Sequence, residues 1–195
     1  MRSLSLNRKQ LLRAVWQLFK RPGAALDIQP TFANRVKHLL DADRKTLRAG
    51  HGLEQERFAF FSTGPSGTGN AVAYSYDDLF ALLIALELVD LGFPQREAIQ
   101  VARVAKPLLR HHFDREETPT IPTFMMITRG ELTEAYPKER RAGRGAIISS
   151  PVIVLGYDGL GLVWSKSPMM DRKRVFIEIG TYARDLRKTI EHVLT

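Results

Sequence analysis

The sequence predicts an α+β chain, mostly helical in its first half and followed by a small C-terminal α+β element. Three observations predict it. Apolar residues recur at helical spacing over much of the stretch from Leu11 to Leu108. β-branched and aromatic runs gather between Thr123 and Ile179. Between them, from His111 to Pro122, the composition turns to Pro, Thr and acidic residues, as at a domain boundary. The expected division is a basic helix and linker over 1–28, a main helical domain over 29–113, and the α+β element over 120–195.

Each element has its own signal. Leu11, Leu12, Val15, Trp16, Leu18 and Phe19 form one stripe of a helix whose other side carries Arg8, Lys9, Arg13, Gln17 and Lys20, and Arg21-Pro22-Gly23 ends it. A surface helix packed on its domain is the expectation. Phe32, Val36, Leu39 and Leu40 mark a short helix from about Pro30, and Asp41-Ala42-Asp43 reads as a turn into a second short helix over Arg44, Lys45, Thr46, Leu47 and Arg48. Arg57 to Phe61 and Ala71 to Tyr74 read as two strands of a hairpin with the glycine-rich tip Ser62 to Asn70. Ser75 and Asp78 form a capping box before an almost wholly apolar helix through Leu79, Leu82, Leu83, Leu86 and Val89. Gly92 supplies its left-handed stop, with Phe93 folding back on Leu88, and Pro94 opens the next helix, which Pro107 should kink or end. Thr123–Thr128, Ile147–Leu155, Leu160–Trp164 and Val175–Ile179 read as strands, and Thr181–Leu194 as a closing helix with Tyr182, Leu186, Ile190 and Val193 on one stripe.

Charge points to the partner. The 195 residues carry 29 Lys and Arg against 21 Asp and Glu, a formal +8, with a pI near 10.0. Eleven basic and three acidic residues fall in Met1 to Gly50, and the rest of the chain is balanced at eighteen of each. A segregated excess is the footprint of a surface that meets a polyanion. At 44% hydrophobic and 26% charged residues, the composition supports a packed core and excludes disorder throughout. The absence of cysteine excludes a disulfide framework, a thiolate metal site and a thiol nucleophile, and it fits a reducing compartment. No signal-peptide pattern and no apolar run of the ~20 residues a membrane span needs is visible, so a cytoplasmic address without membrane partners is expected.

Signals for catalysis are thin. Gly64-Pro65-Ser66-Gly67-Thr68-Gly69 spells the first part of a phosphate-binding loop, but Asn70 and Ala71 stand where its lysine and magnesium-binding hydroxyl belong. A glycine-rich hairpin tip is the better reading. His111-His112 with Asp114, Glu116 and Glu117 lacks the two-to-four-residue ligand spacing of a zinc site and reads as a charged helix end. Met125-Met126 and Met169-Met170 read as core filler. His38, His51 and His192 have no nucleophile or base context. Neither an enzyme nor a cofactor is expected.

One further set of residues carries a resemblance. Thr46-Leu47-Arg48, Gly52-Leu53 after it, the hairpin leading into Tyr74-Ser75-Tyr76-Asp77-Asp78-Leu79, then Leu91-Gly92-Phe93 and Glu97-Ala98-Ile99 follow one another in an order and spacing similar to the MerR-type winged helix-turn-helix family. The likeness spans about Thr31 to Ala105, and it departs at Asp41, where the family's turn has glycine, at Ala49, where an aromatic follows the triplet, and at Ala71-Val72, where its wing has Tyr-Arg. The resemblance implies a winged helix-turn-helix over 29–113 and a sequence-specific, double-stranded-DNA-binding transcriptional regulator. On that reading Arg44, Lys45 and Arg48 face the major groove, Arg35, Lys37 and Arg57 touch phosphates, and Thr46, Arg48 and Tyr74 carry the family pattern most directly. A homodimer is expected because one recognition helix reads few base pairs, with 120–195 as the dimerisation or sensor element and no effector indicated. The rival readings are a helical protein-docking adaptor and a small enzyme built on the C-terminal α+β region.

Overall fold

The structure, a computed structural model, describes residues 5–20, 27–48, 58–61, 72–115, 122–128, 152–156, 159–160 and 174–194. The chain is α+β: helices α1 (Arg8–Phe19), α2 (Pro30–Arg48), α3 (Tyr76–Asp90), α4 (Gln95–Arg115) and α5 (Gly180–Leu194), with strands β1 (Thr123–Thr128), β2 (Val152–Gly156) and β3 (Arg174–Glu178). It divides into two compact units, Met1–Pro107 with Tyr182–Thr195, and Leu108–Thr181.

Unit one is helical. The Asn7 side chain accepts from Gln10 N while the Gln10 side chain accepts from Asn7 N, both at 3.0 Å, a capping box that starts α1. α1 buries Leu11, Ala14, Val15 and Trp16, and Trp16 meets Phe32 of α2 with ring centroids 5.0 Å apart. Just before α1, Leu6 pairs with Tyr74 in an antiparallel bridge, each backbone N–H donating to the other's carbonyl at 2.9 Å. α3 is central, with eleven of its fifteen residues buried. It begins at the Ser75–Asp78 box and ends in a Schellman turn: Gly92 at φ +84°, Gly92 N donating to Val89 O and Phe93 N to Leu88 O. Along α5, Ala183, Leu186 and Ile190 are buried. Its first turn is fixed to α3 by Tyr76 Oη, which donates to Ala183 O at 2.9 Å, and by the Tyr182 hydroxyl on Glu87.

Unit two holds an antiparallel sheet in the order β2-β1-β3. Met125 pairs with Val154 on one side and Ile177 on the other. Thr123, Met125, Met126, Ile127, Val152 and Ile177 are buried, which fits the core role expected of Met125-Met126.

Several expectations need correction. Asp41-Ala42-Asp43 is not a turn: α2 is one nineteen-residue helix, so the helix-turn-helix expected within 30–48 is not formed. The reason is visible in the pattern, because no Gly or Pro interrupts 31–48 and Asp43 falls on the buried stripe of Phe32, Val36, Leu39 and Leu40. Phe58 to Phe61 form no strand; side-chain bonds from Asp43 and Lys106 hold their backbone instead. Gly159 and Leu160 are helical, and 161–164 lie outside the described residues, as do Gly64–Gly69 and Met169-Met170. α4 runs through Pro107 to Arg115. Proline removes one helical bond, and Pro107 and Leu108 are exposed there, where water can serve the freed carbonyl. The packing also groups the chain differently from the expected division. α1 shares an aromatic core with α2, and α5 from Tyr182 onward belongs to the helical unit through its bonds to Tyr76 and Glu87.

Candidate nucleic-acid interface

α2 sorts its residues by helical phase. Phe32, Val36, Leu39, Leu40 and Asp43 are buried, whereas Thr31, Asn34, Lys37, His38 and Lys45 are exposed. The eight residues expected to meet DNA separate accordingly. Lys37 and Lys45 stand in solvent. Arg44 is half-buried, its guanidinium carbon 4.6 Å from the centroid of the Phe61 ring, a cation–π contact that holds the side chain against the domain. Thr46 and Arg48 occupy the last turn of α2. Arg57 lies outside the described residues.

Arg35 and Tyr74 make contacts within the helical unit. Arg35 Nη2 donates to Leu86 O at 2.9 Å and pairs with Asp90 at 2.5 Å, so it ties α2 to the end of α3. Tyr74 is 2% exposed and packs on Phe61 with centroids 5.7 Å apart. Its phenol is pushed above the ordinary tyrosine range by burial first; Arg44 and then Arg8 pull against that shift, while Asp78 and Asp41 add to it. The same phenol therefore feels one cation from the start of α1 and one from the end of α2. Arg8 and Lys9 are exposed, as is Arg13 one turn on.

Beneath this surface runs a buried ionic framework that the sequence pattern does not announce. Asp43, fully buried, pairs with Arg103 of α4 at 2.6 Å through one oxygen and accepts from Phe60 N at 3.0 Å through the other. Asp78, also fully buried, pairs with Lys106 at 2.5 Å and accepts from Ser75 N and Oγ at 2.7 and 2.8 Å. Lys106 reaches Phe58 O as well, at 3.4 Å. Arg103 and Lys106 stand three residues apart, so one face of α4 offers both cations. The legible signal was an acid in the apolar phase of α2; its partner, 60 residues away, had none.

Neither protein-family models nor curated proteins provide a match to this sequence. No helix among the described residues is long and apolar enough to cross a membrane.

Proposed function

We propose that the helical unit binds double-stranded DNA through phosphate contacts made by the outer faces of α1 and α2. The observation that carries the reading is that α1 and α2, packed on one another through Trp16 and Phe32, leave Arg8, Lys9, Arg13, Lys37 and Lys45 exposed. Cations drawn from two helices by the fold itself make a surface, where cations scattered along a sequence do not. Arg44 is pre-positioned by Phe61, so less side-chain freedom is lost when it engages a phosphate. Support also comes from the excess of eleven basic over three acidic residues confined to Met1–Gly50. The larger proposal, a dimeric, sequence-reading transcriptional regulator, adds base contacts from Thr46 and Arg48 in the last turn of α2.

The test is anisotropy of a labelled short duplex titrated with wild type and with Lys9→Ala/Lys45→Ala. Both lysines are exposed, so the melting temperature should hold while duplex affinity falls about tenfold, near 0.7 kcal/mol for each lysine removed from a phosphate. Wild type that ignores duplex at low salt but binds anionic vesicles or an acidic protein would replace this reading with one of its rivals.

A further inference from the structure

Asp43 occupies the position before Arg44 and two before Lys45, and its carboxylate is the polar anchor of that part of α2. Arg103 meets one oxygen at 2.6 Å and Phe60 N the other at 3.0 Å. A second ionic tie of α2 is Arg35, eight residues earlier, or about 12 Å along the helix. The two ends of α2 are thus held by separate ion pairs, one to α3 and one to α4. Asp43 has no water to fall back on, since its side chain is 0% exposed, whereas Arg103 is 20% exposed. Removing Arg103 leaves a buried carboxylate with a single backbone donor, and the way to relieve that charge is to carry the last turns of α2 toward solvent. The segment from Phe58 to Phe61 keeps its second tie through Lys106, which is itself paired with Asp78, so the disturbance falls on α2 first.

We propose that Arg103 is a positioning residue for the basic end of α2, setting where Arg44 and Lys45 stand without itself meeting the nucleic acid. The proposal rests on the reading of α1 and α2 as a phosphate-binding surface. It predicts a local effect with a definite charge logic. Arg103→Gln should loosen the last turns of α2, Arg103→Lys should restore most of their hold, and Asp43→Asn added to Arg103→Gln should be milder than Arg103→Gln alone, because the stranded charge is gone.

The experiment is residue-resolved amide exchange on the full chain together with duplex anisotropy, for wild type and these three variants. Arg103→Gln should speed exchange over 41–48 about tenfold while the first two turns of α2 and all of α3 keep their protection, and duplex affinity should drop about tenfold. Should Arg103→Gln fail to fold, the lysine and double variants still carry the comparison. Exchange accelerated evenly across α2, α3 and α4, or unchanged over 41–48, would overturn the proposal, as would a double variant worse than the single. Wild type that binds no duplex overturns the DNA reading alone, and the exchange profile still decides whether Arg103 holds this end of α2.

Discussion

Tyr76 makes the sharpest residue-scale case that burial, not sequence context, sets chemistry here. Its hydroxyl donates to Ala183 O, Arg187 lies 5.8 Å from its ring centroid, and burial pushes its pKa up to about 12 against the pull of Arg187. A phenol raised in the folded state stays neutral when the unfolded chain ionises at about pH 10. Stability is therefore fully present below about pH 10 and lost as pH rises toward 12, by about 2–3 kcal/mol over that window. Denaturant titrations from pH 8 to 12 should show the decline in wild type and a shallower one in Tyr76→Phe. An identical profile in the two proteins would place Tyr76 in a wetter site. Arg35 and Lys37 give a second residue-scale contrast, being two residues apart on one helix with opposite assignments. Arg35→Ala should cost up to about 1 kcal/mol of stability, as expected for a partly exposed pair, and leave the salt dependence of duplex binding intact. Lys37→Ala should leave stability unchanged and reduce that salt slope by about one. Thermal melts and salt titrations of the two variants separate the roles.

The elements that could be read from sequence are those written in local chemistry. The Ser75–Asp78 box and the Gly92 turn each use residues within a few positions of one another, and α3 begins and stops where they indicate. β1 spans the six residues expected, β3 is the expected Val175–Ile179 strand shifted by one residue, and β2 covers the last four residues of the expected Ile147–Leu155 run and Gly156, with 147–151 outside the described residues. What could not be read depended on distant partners. Asp-Ala-Asp has the composition of a turn, and only Arg103 and the Phe60 amide turn Asp43 into a buried helical residue. The departure from the family pattern at Asp41 was the local warning, since a helix-turn-helix places glycine there for its left-handed freedom and this chain does not. Likewise, the aromatic run at 58–61 has strand composition, but its backbone groups are taken by side chains of α2 and α4. Of the candidate site, the exposed Lys37 and Lys45 were legible from helical phase. Arg8 was not, because the link from α1 to the end of α2 runs through the Leu6–Tyr74 bridge and the packing of Tyr74 on Phe61, which also holds Arg44. Continuity of α2 has a direct test in Ala42→Gly, which should cost about 1 kcal/mol inside a helix. A turn at that point would leave stability unchanged or improved, and urea unfolding distinguishes the two.

Across the whole molecule, the fold concentrates what the sequence only segregates. Eight of the eleven cations of Met1–Gly50 sit on α1 and α2 of the first compact unit, while the sheet belongs to the second. Arg103 and Lys106, paired with buried carboxylates, hold the helices together, whereas Arg8, Lys9, Lys37 and Lys45 stand at the surface. If that surface lies along a duplex, binding releases condensed counterions, and log K falls linearly with log salt by about 0.9 for each phosphate neutralised. The most direct measurement is therefore this slope, taken by anisotropy on matched and scrambled duplexes for wild type and for Lys9→Ala/Lys45→Ala. A phosphate-binding surface on α1 and α2 predicts a linear fall of several units in wild type, and a slope smaller by about two in the double variant on both duplexes alike. A slope unchanged by the two substitutions, or no duplex binding at low salt, would contradict it.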